Sequence, residues 1–438
     1  MDGEILCAIL CNVHKRARKR GLQPRGTSCI MLEHDGMGEM TMWKLPEGAE
    51  FVLRRLQEAG YQAYVAGGCV RDTLLGKMPK DWDVCTNALP CEMQRIFADC
   101  HVIETGLQHG TLTVMYHHEP FEVTTFRVDG EYTDHRHPDE VVFVTDVRED
   151  LSRRDFTVNA MAWSPKTGVV DAFGGQEDLE KRLIRCVGEP EKRFGEDALR
   201  IMRALRFASV YGFAIDPATD AAIHALKDTL TDVAAERIRV ELQKLLCGDG
   251  AGDILRAYPD VMQVIMPKLA KVDWPSTVAA AENAPATEIL RLTLLLHQLE
   301  PADAKAVLVS LKPDNFTRDR VLTLVTNQDY PFQTTRHSLL TALSLFGEEV
   351  VRQLLAVRKA KGASDVEPLS AVLDEVLADG VCYSVKDMAV NGRDLMALGA
   401  RGKAVGECLN HLLSLLLSEE LPNECVALLG AAKAHLDA

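Results

Sequence analysis

The apolar positions divide the chain into two unlike parts. From Leu45 to about residue 176, short apolar runs alternate between helical and strand spacing. Val52, Leu53, Leu56 and Ala59 recur at helical intervals, and Gly60 supplies a C-terminal stop. The pattern predicts a short strand over Tyr64-Val65-Ala66, a helix through Leu75, and then a strand carrying Asp81-Trp82-Asp83. Pro90 suits the first turn of another helix, whose apolar positions are Met93, Ile96 and Phe97. Gly110 to Tyr116 and Phe121 to Phe126 read as a β-hairpin around the turn His117-His118-Glu119-Pro120. Beyond residue 176 strand signals nearly vanish. Helical periodicity then runs to the end, with breaks near Gly248-Asp249-Gly250, Pro285, Lys361-Gly362 and Gly380. A mixed α/β head followed by an all-helical remainder is expected.

Residues 1–42 differ from both parts. The apolar run Ile5 to Leu10 precedes the basic cluster Lys15-Arg16-Ala17-Arg18-Lys19-Arg20, the reverse of a signal peptide. This atypical extension reads as a disordered arm, an RNA-touching tail, or a leader ahead of a start at Met40 or Met42; the last is preferred.

Composition narrows the class. At 438 residues two or more domains are expected. Apolar content of 47% and charged content of 26% are those of a globular chain, and no stretch approaches the roughly 20 apolar residues of a membrane span. The 12 cysteines show no paired metal spacing and read as reduced thiols of a cytoplasmic protein. A net charge of −15 excludes coating of nucleic acid by bulk electrostatics, so any RNA contact must come from local basic patches.

The chemistry concentrates in four segments. Asp81 and Asp83 are two apart, so on extended chain both carboxylates face one side and Trp82 the other. Such a pair can hold Mg²⁺, which keeps several waters and shares substrate phosphates. Gly67 and Gly68, upstream, let backbone N–H groups approach a phosphate. Alone, each feature is more often a solvated loop or a plain turn; their order and proximity favour a metal-and-triphosphate site. Glu122, on the second hairpin strand, would complete a three-carboxylate cluster if that strand lies beside Asp81–Asp83, and is an exposed strand residue otherwise. In Asp150-Leu151-Ser152-Arg153-Arg154-Asp155-Phe156-Thr157-Val158-Asn159 the arginine pair suits triphosphate oxygens, while Asp155 and Asn159 suit sugar hydroxyls; a helix start capped by Asp155 is the plain alternative. On one predicted helix, Asp197 and Arg200 share a face, with Arg203 and Arg206 continuing a basic stripe. Cytosine and adenine both present an amine donor beside a ring-nitrogen acceptor, so an Asp–Arg pair would admit C and A and reject G and U. The plain alternative is a salt-bridged amphipathic helix.

Taken together, Gly67-Gly68-Cys69-Val70-Arg71-Asp72, Asp81-Trp82-Asp83, Arg153-Arg154-Asp155-Phe156-Thr157-Val158-Asn159-Ala160 and Glu196-Asp197-Ala198-Leu199-Arg200 resemble the class II tRNA nucleotidyltransferases (CCA-adding enzymes) and the similar bacterial poly(A) polymerases. The resemblance is strong over residues 44–215. Val390-Asn391-Gly392-Arg393-Asp394-Leu395 and Leu421-Pro422-Asn423-Glu424 also resemble the tail of one CCA-adding type. It implies an α+β fold: a mixed-sheet, polymerase-beta-like nucleotidyltransferase head (43–176), then a helical neck (177–250), body (251–365) and tail (366–438). It implies that Asp81 and Asp83 bind the catalytic metals; Glu122 joins them as a catalytic candidate through the strand reading above, not through the resemblance. Nucleotide binding would fall to Gly67, Gly68, Arg71, Arg154, Asp155 and Asn159, and base reading to Asp197 and Arg200; the basic stripe adds Arg203 and Arg206 as nucleotide-binding candidates. The reaction implied is addition of C, C and A to the tRNA 3′ end from CTP and ATP.

Arg127 to Pro138 resembles the family's flexible loop linked to the final A addition, with Asp134, Arg136 and Pro138 as its matching residues. His137 stands where the family more often has arginine, and would either add pH dependence near neutrality or be silent. A poly(A) polymerase and an A-adding enzyme paired with a CC-adding partner remain open. So does an RNA-binding protein on an inactive head, against which the intact Asp81 and Asp83 speak. Oligomeric state is not readable.

Overall fold

The computed structural model describes residues 43–130 and 141–437. The N-terminal extension and the loop residues Asp134, Arg136, His137 and Pro138 lie outside the described residues. The chain divides into two compact units. One comprises the described residues up to Asp197 with Ile215–Asp220; the other comprises Ala198–Ala214 with Ala221 onward.

The first unit is built on a seven-stranded mixed sheet. Helix α1 (Glu47–Glu58) opens it, with Glu47 and Glu50 in the first turn and Arg55 in the last, the charge order that complements the helix dipole. Its buried face is Ala49, Val52, Leu53 and Leu56; the last three are among the periodic positions expected, while Ala59 caps the helix and is exposed. Strand β1 (Ala63–Ala66), helix α2 (Gly68–Leu74), strand β2 (Val84–Thr86) and helix α3 (Pro90–Ile96) follow. Next come β3 (His101–Ile103), β4 (Thr111–Tyr116) and β5 (Glu119–Thr125). A separate ribbon of β6 (Arg127–Asp129) and β7 (Val141–Phe143) precedes helix α4 (Val147–Ser152), and β8 (Met161–Ser164) and β9 (Gly168–Asp171) complete the sheet.

The sheet order is β3-β4-β5-β2-β1-β8-β9. β1 runs antiparallel to both β2 and β8, whereas β2 and β5 are parallel, with Val84 opposite Val123. The hairpin turn is tighter than expected. His117 and His118 alone make it, at φ 47° and 71°, the double positive φ of a two-residue turn that matches strand twist. Glu119 and Pro120 belong to the strand. β8 sits beside β1 near the centre, and its four residues are all buried. Trp163 on β8 stacks on Trp43 with ring centroids 4.4 Å apart. Phe97, Phe126, Phe156, Leu112 and Leu151 are fully buried with it.

The second unit is helical. Its larger core gathers Leu294, Leu324, Leu340, Val351, Leu354, Leu369 and Leu373. A second core near the C-terminus gathers Leu395, Cys408, Leu412, Leu428 and Ala432. Among the described residues no helix is long and apolar enough to cross a membrane.

Candidate active site

β1 ends at Ala66 and the chain turns through Gly67, at φ 80° and ψ −125°, a region open in practice only to glycine. A Cβ there would also stand 2.5 Å from Nη1 of Arg154, so that guanidinium would have to shift. The Gly67 N–H donates to the Met161 carbonyl at 2.9 Å. That amide is therefore engaged by the sheet, not held open for phosphate as expected; what Gly67 supplies is the turn. Gly68 then opens α2, and Arg71 on that helix is buried. Arg71 donates from Nε to Asp72 Oδ1 at 2.9 Å and from Nη1 to the side-chain oxygen of Asn159. Asn159 in turn donates to Asp155 Oδ1 at 3.2 Å, and Asp155 Oδ1 also accepts the Phe156 N–H. The glycine-rich segment and the Arg-Arg-Asp segment thus meet in one buried network, Arg71–Asn159–Asp155. No helix starts at Asp155; a single 3-10 turn, Thr157–Asn159, follows it.

Asp81, Trp82 and Asp83 are the approach to β2 rather than part of the strand. The Ala66 N–H nevertheless bonds to the Asp83 carbonyl at 3.0 Å, which keeps this segment laid against β1. Trp82 is buried at 9% exposure while both aspartates are exposed, the alternation that extended chain demands. Asp83 and Glu122 each stand one residue before the paired Val84 and Val123 of parallel strands. Asp83 has an open path to solvent, yet loss of hydration is the largest cause raising its carboxyl above the ordinary range. Glu122 and, more weakly, Asp81 push the same way, and Arg154 opposes them. Among the described residues no three His, Cys, Asp or Glu side chains converge as a metal site by themselves. The donor set fits a hard divalent cation all the same: two outward carboxylates with excess negative charge, and room for water and phosphate oxygens to complete the shell.

The arginine pair is fixed from below. Asp150, 1% exposed, accepts from Arg153 Nε and Nη2 at 3.0 and 2.9 Å and from Arg154 Nη2 at 3.3 Å. Burial alone would raise the Asp150 carboxyl, but Arg153 and Arg154 outweigh it and hold it below the ordinary range. Asp150 opens the Arg-Arg-Asp segment, yet the sequence alone assigns it no role. The available signal was its spacing, three and four residues before two arginines.

The Asp197–Arg200 segment departs from expectation. Helix α6 (Pro190–Glu196, after helix α5, Gly175–Lys181) ends before Asp197, which is extended at φ −144° and ψ 104°. Arg200 lies in the first turn of α7 (Leu199–Tyr211). The two therefore do not share a face of one helix. Gly195 and an acidic pair at the end of a short helix gave the break, which the continuous apolar spacing concealed. Arg200 is buried. Arg206 is committed to a buried ion pair with Glu241 at 2.7 Å and lies 3.9 Å from the Phe207 ring centroid. Arg203 lies 5.4 Å from the same ring.

Comparison with known proteins adds an independent result. Residues 63–185 match the model of the poly A polymerase head domain, and residues 284–432 that of tRNA nucleotidyltransferase domain 2. Residues 212–271 match the model described as "Probable RNA and SrmB- binding site of polymerase A". A curated CCA-adding enzyme of Levilactobacillus brevis is 37% identical over 407 residues, covering 90% of this chain and 99% of its own. That of Geobacillus stearothermophilus is 36% identical over 381 residues, covering 85% and 93%. The crystal structure of the Bacillus stearothermophilus CCA-adding enzyme in complex with CTP superimposes with a TM-score of 0.76 at 32% identity, over 89% of this chain and 97% of that one. The Thermotoga maritima CCA-adding enzyme complexed with tRNA_CCA shares the fold, with a TM-score of 0.63 at 22% identity over 89% and 94%.

Proposed function

The chain belongs to the family of CCA-adding enzymes, the tRNA nucleotidyltransferases, and on that premise we propose that it adds C, C and A in turn to the 3′ end of tRNA, using CTP and ATP and releasing pyrophosphate. The observation that carries this reading is the arrangement of Asp81 and Asp83 at the lead-in to β2, beside the Gly67 turn and the buried Arg71–Asn159–Asp155 network. The carboxylates for a cation precede β2, and the donors for a polyanion lie on α2, which follows β1, and on the turn that precedes β8, with β1 between β2 and β8 in the sheet.

Enzymes of this family use divalent metal, and we infer Mg²⁺ at Asp81 and Asp83. When bound, the ion would stabilise the charge that develops on the phosphate and lower the pKa of the attacking hydroxyl. Asp83 is raised first by loss of hydration and then by Glu122 and Asp81, and a bound cation would offset that repulsion. Glu122 adds negative charge beside the pair. Arg154 offsets charge next to Asp83, and Arg71, Asp155 and Asn159 orient sugar and phosphates. In the step itself, the 3′ oxygen of tRNA bonds to the α-phosphorus and the bond to the departing pyrophosphate oxygen breaks. Asp197 and Arg200 read the base, on their acceptor and donor chemistry.

A cytoplasmic location fits the cysteines, all nine of which among the described residues are free thiols. The test is transfer of labelled CTP to tRNA lacking its terminal nucleotides. Incorporation should require divalent metal, vanish with a chelator and return with Mg²⁺. An absence of incorporation under any divalent metal contradicts the reading.

A further inference from the structure

Asp150 is 1% exposed, too deep to meet a nucleotide, so its effect must pass through its partners. Those partners are the side chains of Arg153 and Arg154 and the backbone N–H of Arg127 at 3.3 Å. The two arginine side chains remain partly accessible, at 18% and 20% exposure. One carboxylate against two guanidiniums holds both and offsets the charge of one, which leaves the three-residue group net positive. Arg154 is confined further by the Gly67 turn on one side and by the Asn159 carbonyl, which accepts from Nη1 at 3.5 Å. Its Nε is buried with no acceptor among the described residues, which leaves Asp150 and that carbonyl to hold it.

We propose that Asp150 is a positioning residue of the nucleotide site: it orders the Arg153–Arg154 pair for the triphosphate of the incoming nucleotide without touching the nucleotide itself. This rests on the nucleotide site proposed above. Arginine recognises phosphate through a fixed planar fork, so a guanidinium released from Asp150 keeps its charge and loses its aim.

The experiment measures the CTP dissociation constant by calorimetry, with Mg²⁺ present, alongside the KM for tRNA. Asp150→Asn should weaken CTP binding about ten-fold, the scale of one charge-assisted hydrogen bond, and leave the KM for tRNA unchanged. In an Arg153→Ala, Arg154→Ala background the same substitution should change CTP binding by less than about two-fold, because its route of action is gone. Unchanged CTP affinity in Asp150→Asn, or an undiminished loss in the double-alanine background, overturns the proposal. If Asp150→Asn does not fold, Asp150→Glu, which keeps the charge and displaces it by one methylene, should show the same dependence on the arginines. Wild-type protein that binds CTP and transfers none to tRNA contradicts the enzymatic reading, while the binding series still decides the role of Asp150.

Discussion

Arg154 lies directly against Gly67: its Nη1 is 2.5 Å from the point where a side chain at 67 would begin. The glycine turn and the arginine pair are one packed unit, although 87 residues of sequence separate them. Gly67→Ala meets both this contact and a φ of 80°. It should cost about 2–4 kcal/mol of stability and lower nucleotide incorporation further than stability alone explains, because Arg154 must move. Thermal melts and steady-state rates check this; a variant with the wild-type melting temperature and rate contradicts the packing.

Asp83 supplies a pH dependence with a definite sign. Its folded carboxyl is raised, first by loss of hydration and then by Glu122, so the metal-free folded state binds a proton more readily than the unfolded chain does. The associated stability is present below the ordinary carboxylate pKa and is lost as pH rises through the elevated folded value. At pH 7 without metal, Asp83→Asn should therefore melt higher than wild type. Adding Mg²⁺ should raise the wild-type melting temperature and leave that of the variant nearly unchanged. A variant that melts lower in chelator contradicts the sign.

Glu122 is predicted to act through charge beside Asp83. Glu122→Gln should raise the Mg²⁺ concentration needed for half-maximal incorporation by roughly ten-fold, with activity partly restored at high Mg²⁺. Activity insensitive to the substitution at every Mg²⁺ concentration removes Glu122 from the site.

The head was readable because its motifs are local. The α1 periodicity, the β1 strand, the Pro90 helix start and the 81–83 alternation are all written in neighbouring residues. The central β8 strand was not, because Met161-Ala162-Trp163-Ser164 is buried on both faces and shows no alternation. Asp150 was passed over because its importance depends on burial, which a helical spacing of charges does not reveal. The break at Asp197 was hidden for the opposite reason: apolar spacing runs across it as though one helix continued.

Arg200 carries the base-reading claim. Arg200→Ala should reduce discrimination of CTP and ATP over UTP and GTP by roughly ten-fold or more while changing tRNA affinity little. Competition between labelled nucleotides checks it; unchanged selectivity with weaker tRNA binding reassigns Arg200 to RNA contact.

Metal-dependent addition of three defined nucleotides is proposed to depend on Asp81 and Asp83. The most direct measurement supplies tRNA ending at its discriminator base with CTP, ATP or both, and sequences the product ends, for wild type and Asp81→Ala. Wild type should give a CCA end with both nucleotides and CC with CTP alone, and Asp81→Ala should give no extension despite retained tRNA binding. A long A tail, addition of A only to tRNA already ending in CC, or normal extension by Asp81→Ala would contradict it.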